Sequence, residues 1–257
     1  MKSIHLLLCF FLCISIMSSC SFCQDASTYY DKLAGKLVST KNLSEAMDLF
    51  NKSLDQNSSN DDAWTHKGNA ENALKDYNSS VRSFGRATAL DRKNAAAWSG
   101  LSDAYSQKKD YANASAAAAE LTGIDPKNKA YWLKKGTLQQ MQGDFDNATV
   151  DLDRAIAIDS KYRDALYRKA LSELAANNTD QAIELLDQVI AIDGKYKQAY
   201  NARGQALEMQ GDLKGAIAAY DRALQIDAKW SLALANKMHA LLATGRQKEA
   251  VDILLRI

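Results

Sequence analysis

The sequence has few of the residues that break helices or crosslink a fold. It contains a single proline, Pro126, and all four cysteines lie within the first 23 of its 257 residues. The rest of the chain therefore has neither a disulfide nor a thiolate metal site. The proline follows Asp125, at a point where a helix should already have ended. We conclude that the fold depends on the packing of side chains.

The sequence also lacks an excess of charge and any recognisable catalytic motif. Without Lys2 the 32 basic residues fall to 31, which equals the 31 acidic residues. A nucleic-acid-binding protein would carry a basic surface. The chain has no GxxxxGK[ST] loop, HExxH pair or GxSxG elbow, and the sequence shows no partner for His66 or His239. We therefore expect no enzyme activity, metal, cofactor, nucleic acid or small-molecule substrate.

What the sequence does contain is a repeat of 34 residues. A period of this length is typical of stacked units of two helices. Within a unit, Trp132 is followed by the small residues Gly136 and Ala148 and by the bulky Leu152, and these offsets recur along the chain. Small residues allow two helices to pack closely, and the bulky residue fills the space between units. The landmark positions are Tyr30, Trp64, Trp98, Trp132, Leu166, Tyr200 and Leu234.

Turn signals punctuate each unit. Gly143 and Gly211 stand where a first helix should end, and an aspartate after each one can cap the next helix. No segment alternates polar and apolar residues as a half-buried strand does, so we expect an all-α chain. An aspartate followed two residues later by a lysine predicts a helix-terminating turn at Asp91, Asp125, Asp159, Asp193 and Asp227.

These offsets resemble the tetratricopeptide repeat family, whose consensus has a tryptophan, a glycine four residues on, an alanine sixteen residues on and a closing proline. The resemblance covers residues 27–257 and implies a right-handed superhelical solenoid of about seven helix-turn-helix repeats. The sequence departs from the family where leucine is usual, at Lys67, Lys135, Lys169 and Lys237, and where Met238 replaces the glycine. The expected repeats are 27–60, 61–94, 95–128, 129–162, 163–196, 197–230 and an incomplete 231–257.

One unit departs from the pattern in the sizes of two residues. Ala118 occupies the place of the bulky residue, while Leu121 occupies the place of an alanine. A local exchange of volume can keep the packing intact, but we expect this helix to be less stable than the others.

The resemblance implies a non-catalytic scaffold that binds a protein or peptide in a concave groove lined by the first helix of each unit. Residues one, five and eight positions after a landmark lie on a face turned away from the packing stripe. The centre of this face is apolar, which makes Tyr167 a candidate anchor, although Leu171 and Leu174 could instead pack against neighbouring helices. The predicted groove residues are Asn69, Asn72, Asp103, Thr137, Gln140, Tyr167, Leu171, Leu174, Asn201, Gln205 and Glu208.

Residues 1–23 predict a targeting segment. Lys2 is followed by an apolar run and then by small residues before Gln24. We expect export, to a secreted state or to the outer face of the cytoplasmic membrane. Three fates of the leader are open: cleavage, lipidation of Cys20 and retention as an uncleaved membrane tether. The apolar run is short for a membrane span, which disfavours the uncleaved tether. A lipid on Cys20 would favour a membrane-tethered factor that helps assemble envelope or pilus machinery.

Seven N-x-Ser/Thr sequons are a second sign of export, where composition alone would give about two. They favour a third role, that of a structural cell-envelope glycoprotein. The alternative is that asparagine, serine and threonine are simply good residues for starting helices. The candidate glycosylation sites are Asn42, Asn51, Asn57, Asn78, Asn113, Asn147 and Asn177.

The last predicted helix is rich in apolar residues. Terminal repeats of a solenoid are usually capped by a polar face, and the stretch from Val251 to Ile257 has none. One alternative is that a partner protein covers this end, or that a second copy of the chain does so by self-association. The other is that the chain is a shortened version of a longer one.

Overall fold

A computed structural model of the chain describes residues 21–39 and 42–254. These residues form fourteen α-helices and no strand, which confirms the all-helical prediction. The helices are α1 Ser21–Ser39, α2 Leu43–Gln56, α3 Asp61–Ala73, α4 Tyr77–Leu90, α5 Ala95–Gln107, α6 Tyr111–Ile124, α7 Lys129–Gln142, α8 Phe145–Ile158, α9 Arg163–Ala175, α10 Thr179–Ile192, α11 Lys197–Met209, α12 Leu213–Ile226, α13 Ser231–Ala243 and α14 Gln247–Leu254.

Part of the sequence interpretation lies outside the described residues. This is the case for residues 1–20 of the predicted leader, including Cys20, and for the last three residues, 255–257. Helix α1 begins at Ser21, within the predicted leader. None of the helices in the described part of the chain is both long enough and apolar enough to cross a membrane.

The helices alternate between a first helix (odd numbers) and a second helix (even numbers) of each pair. The chain divides after Ile124 into two compact units, the first with α1–α6 and the second with α7–α14. Within each unit, a helix packs against the next one in the sequence, and each first helix also contacts the next first helix. The first helices of a unit therefore form a row.

Close contact between small and bulky residues holds neighbouring helices together. Within a pair, a Cβ added at Gly68 would lie 2.9 Å from Cδ1 of Phe84, and one added at Gly204 would overlap the ring of Tyr220. Between pairs, a Cβ added at Gly100 on α5 would overlap the ring of Phe84 on α4. The bulky residues of the repeat are fully buried at Phe50, Phe84, Leu152, Leu186 and Tyr220.

The exchange of volume in the third pair is accommodated. Ala118 and Leu121 are both fully buried on α6. The larger side chain has moved by about one helical turn, and both positions remain in the core.

The aspartate turns close the second helices as the sequence predicted. At the end of α8, the backbone N–H of Asp159 donates to Ala155, and Oδ1 of Asp159 accepts from the N–H of Lys161 at 3.0 Å. The same hydrogen bond, from the backbone N–H two residues later to the aspartate carboxylate, forms at Asp91, Asp125, Asp193 and Asp227. The landmark residue then fixes the turn, since Nε1 of Trp132 donates to the carbonyl of Pro126 at 2.8 Å.

The lysines that replace leucine in the family pattern have a structural role. Nζ of Lys169 lies 2.7 Å from Oδ1 of Asp153, so that α9 is paired with α8. Lys135 and Lys237 pair in the same way with carboxylates on α8 and α12, and Lys67 donates to the side chain of Asn51 on α2. At the four positions where the family usually has leucine, this chain therefore makes polar contacts with a second helix.

Helix α1 is attached by polar contacts in addition to apolar ones. Ser27 and Ser53 are fully buried with their hydroxyl oxygens 3.0 Å apart, and Nδ2 of Asn60 donates to Ser27 at 2.9 Å. Nδ1 of His66 on α3 lies 2.9 Å from Oδ1 of the buried Asp31. This pair gives His66 the partner that the sequence did not reveal.

The turn between first and second helices contains a left-handed residue in six pairs. Glycine occupies this place at Gly143, Gly211 and Gly245, with φ of 86°, 84° and 75°. Lys75, Lys109 and Asn177 occupy it with φ of 62°, 60° and 62°. A side chain with a Cβ is strained in this conformation, whereas glycine is not.

We therefore predict that Lys109→Gly raises the free energy of unfolding by up to about 1 kcal/mol, because relief of strain exceeds the added entropy of the unfolded chain. Urea denaturation followed by circular dichroism measures this. Lys108→Gly is the matched control, since Lys108 has a right-handed φ of −78° and gains nothing from glycine. Equal destabilisation by both variants would contradict the prediction.

The contact between His66 and Asp31 predicts a pH dependence of stability. The hydrogen bond to Asp31 raises the pKa of His66 above its ordinary value of 6.5, against the lowering effect of burial. The protonated form is therefore favoured in the folded state, and its contribution is complete below 6.5 and lost as the pH rises through the raised pKa.

Denaturation of wild type and His66→Gln between about pH 5 and about pH 8 checks this expectation. The difference in unfolding free energy between the two proteins should be larger at the acidic end. A difference that stays constant across this range, or that grows as the pH rises, would show that the pair makes no such contribution.

Candidate functional site

A pocket of about 380 Å³ opens on the row of first helices in the second unit. It lies between α7 and α9, and Tyr196, the residue before α11, closes it. Its volume is at the lower end of the range that is typical of ligand pockets. The lining residues are Leu133, Thr137, Arg163, Asp164, Tyr167, Arg168 and Tyr196.

Two tyrosines form the aromatic wall of the pocket. The rings of Tyr167 and Tyr196 meet edge to face, with centroids 5.1 Å apart and an interplanar angle of 84°. Burial raises the pKa of both phenols, so that they remain protonated and can donate hydrogen bonds. Aromatic side chains of this kind provide a large contact area with a polar tip.

The two arginines of the pocket differ in their partners. Nε and Nη2 of Arg163 donate to Oδ1 of Asp164 at 2.9 and 2.8 Å, and Nη1 donates to Asp193 at 2.8 Å. The same guanidinium lies 4.6 Å from the ring centroid of Tyr196. Within the described part of the chain, the half-buried side chain of Arg168 makes no hydrogen bond or ion pair. Arg168 therefore supplies the pocket with a cation available to a ligand.

Predicted groove residues supply part of this pocket. Tyr167 and Thr137 line it, and Leu133, on the same stripe, lines it too. Leu171 and Leu174 are half-buried and pack against the core formed by α9, α10 and α11. The alternative role for the two leucines, packing between helices, is thus present in the structure.

Several predicted polar groove residues already bond within the chain. Nε2 of Gln140 donates to the carbonyl of Arg168 at 2.6 Å and to Oγ of Ser172 at 2.7 Å. Asn201 is buried and accepts a hydrogen bond from Nδ2 of Asn236 at 3.0 Å. These two residues hold neighbouring first helices together.

Glu208 is similarly occupied by intramolecular contacts. Its Oε2 accepts a hydrogen bond from the buried hydroxyl of Tyr220 at 2.9 Å, and its Oε1 bonds with Nδ1 of His239. His239 thus has a partner that the sequence did not indicate. No group of three or more potential metal ligands occurs among the described residues.

The remaining predicted positions are mostly more exposed to solvent. Gln205 is exposed on α11 in the second unit, and Asn69 and Asp103 are exposed on α3 and α5 in the first unit. Asn72 is half-buried, and its Oδ1 is buried without a hydrogen-bond partner. The first unit thus has a polar row of first-helix residues.

The structure adds apolar residues that the sequence interpretation missed. Met141 and Met209 are 47% and 49% exposed at the ends of α7 and α11, and Leu242 is 50% exposed on α13. The two methionines lie nine positions after a landmark, one beyond the predicted stripe. Leu242 follows the predicted spacing of eight and could have been found from the sequence. The apolar surface therefore extends along the row beyond Leu174.

The candidate glycosylation sites lie mostly at the surface. Six of the asparagines are exposed and Asn57 is half-buried. Nδ2 of Asn113 and of Asn147 donates to the capping carboxylate of Asp110 or Asp144 at 2.8 Å, so that both asparagines contribute to helix starts. Ser53 of the Asn51 sequon is fully buried.

A larger cavity of about 530 Å³ lies at the end of the second unit, between α12, α13 and α14. Leu234 and Ile253 line it together with charged residues such as Asp221 and Lys237. Val251 of the same terminal helix is 55% exposed.

Solved structures with the same fold are found for most of the chain. A tetratricopeptide repeat protein from Parabacteroides merdae has a TM-score of 0.72 at 15% identity, covering 90% of this chain and 92% of that one. YrrB, described as a TPR protein with an unusual peptide-binding site, has a TM-score of 0.61 at 19% identity, covering 73% and 97%. PilF of Pseudomonas aeruginosa has a TM-score of 0.63 at 13% identity, covering 82% and 96%. At these identities the likeness establishes the fold alone.

Sequence comparison gives the family. No curated protein sequence matches the chain. Models described as tetratricopeptide repeat match residues 71–138, 133–196 and 167–233, which together are more than half of the sequence. The repeat period, the paired helices and these matches agree, and the chain belongs to the tetratricopeptide repeat family.

Proposed function

We propose that the chain is a non-catalytic scaffold that binds a peptide segment of a partner protein along the first helices of its second unit. The observation that carries the proposal is the open pocket walled by Tyr167 and Tyr196. Tyrosines in a partly desolvated pocket are typical anchors of protein interfaces. Met141 on α7 and Met209 on α11 are exposed apolar side chains on the same row of helices, and we expect them to add to the contact surface.

The remaining features of the row support the same role. Gln140 and Asn201 fix neighbouring first helices to each other through hydrogen bonds, so that the surface is formed before a ligand arrives. Preorganisation of this kind lowers the entropic cost of binding. A peptide-binding site is also part of the description of YrrB, which shares the fold.

We further propose that the protein acts outside the cytoplasm. Support comes from the leader-like composition of residues 1–23 and from the number of sequons. Intact mass spectrometry of the protein from its native host tests this. A mass without the leader supports an exported scaffold, and a lipid on Cys20 supports a tethered assembly factor. Extensive glycans would favour a structural envelope glycoprotein, whereas an unmodified full-length chain would contradict export.

A random peptide library displayed on phage, selected on the purified protein, tests the groove. We expect the selected peptides to bind Tyr167→Ala at least about tenfold more weakly than wild type, because the variant removes the central anchor. Isothermal titration calorimetry with synthetic peptides measures the affinities. Phe145→Ala is the matched control, since Phe145 is an exposed aromatic residue of α8 in the same unit.

The control variant should bind like wild type, and circular dichroism verifies that both variants remain folded. Selected peptides that bind Tyr167→Ala as tightly as wild type would place the binding surface elsewhere. A selection that yields no binder would also count against the proposal.

A further inference from the structure

We infer that the pocket in the second unit selects acidic peptide segments, in which the carboxylate of an aspartate or glutamate binds Arg168 while a neighbouring apolar side chain packs on Tyr167. The inference rests on the proposed function and specifies the chemistry of the ligand. It follows from the distribution of charge inside the pocket and from the position of the pocket in the row of first helices.

The carboxylates beside the pocket both pair with the same guanidinium. The lining contains Arg163, Arg168 and Asp164, and Arg163 forms ion pairs with Asp164 and with the neighbouring Asp193. The hydrogen-bond donors of Arg168 have no acceptor among the described residues. An incoming carboxylate therefore meets the guanidinium of Arg168, while the lining carboxylate Asp164 is bound through its Oδ1 to Arg163.

The surroundings of Arg168 strengthen its attraction for an anion. Its side chain is half-buried, and the lining also contains Leu133 and the two tyrosine rings. Electrostatic interactions increase in strength when such groups displace water. A guanidinium can also bind both oxygens of one carboxylate through parallel N–H bonds, which a point charge cannot do.

Hydrogen-bond donors near Arg168 are suited to the same ligand. The hydroxyl of Thr137 and the protonated phenols of Tyr167 and Tyr196 belong to the lining. Each can donate to a carboxylate oxygen that the guanidinium leaves unbound.

The position of the pocket favours a side-chain carboxylate over the carboxylate at the end of a peptide. The pocket lies between α7 and α9, while exposed apolar residues continue along the row at Met209 on α11 and Leu242 on α13. A segment that contacts these residues passes through the pocket and extends beyond it. The acid that reaches Arg168 is then an internal residue.

The test uses the peptides selected on the wild-type protein, synthesised with amidated C-termini. We expect them to contain aspartate or glutamate beside an aliphatic or aromatic residue, and to bind Arg168→Gln about tenfold more weakly than wild type. Arg168→Lys should recover part of the affinity. Arg154→Gln is the charge-matched control, since Arg154 is exposed on α8 in the same unit.

A double-mutant cycle identifies the contact itself. Replacing the peptide acid by its amide should weaken binding to wild type about as much as Arg168→Gln does, and the two changes together should cost little more than one. Binding to Arg168→Gln should also depend less on salt concentration.

The outcomes separate this inference from the proposed function. Peptides that depend on Tyr167 but bind Arg168→Gln like wild type would overturn the inference alone, as would peptides that bind only with a free C-terminal carboxylate. If no selected peptide depends on Tyr167, the proposed function fails and the inference fails with it.

Discussion

The close approach of neighbouring helices, both within a pair and between successive pairs, is the constraint on which the rest of the structure depends. A single carbon added at Gly68 would collide with the ring of Phe84 in the same pair, and Gly204 stands in the same relation to Tyr220. A carbon added at Gly100 would collide with the ring of Phe84 in the preceding pair. Because glycine has no Cβ, neighbouring helices can approach at these places until their bulky residues are completely buried. The exposed face of each first helix is then left for other roles.

This division explains how a helix with a buried face can also present a binding surface. On α9, Lys169 pairs with Asp153 on the preceding helix, while Tyr167 and Arg168, on the adjoining face, line the pocket. The contact with the neighbouring first helix is made through Gln140, whose amide bonds to the carbonyl of Arg168 and leaves the guanidinium available. Stability and recognition thus use different atoms of adjacent residues.

The regular features of the fold could be predicted because they depend on local chemistry. A glycine that adopts a left-handed φ, an aspartate that accepts a backbone N–H and a landmark tryptophan recur at fixed spacing, and each acts over a few residues. Lys75 and Lys109 show the limit of this reasoning, since they adopt the left-handed conformation without being glycine. There the geometry of the repeat overrides the local preference of the residue.

Sequence alone determined the helical class, the period, the turns and the face of each first helix that could be exposed, because these follow from spacing along one chain. Only the tertiary structure decided which residues on that face are available. Asn201 and Glu208 form hydrogen bonds with residues more than ten positions away in the sequence. His66 and His239 bind carboxylates on other helices. The partners of a side chain depend on distances between helices, and no periodic pattern specifies that Arg163 is neutralised while Arg168 remains free.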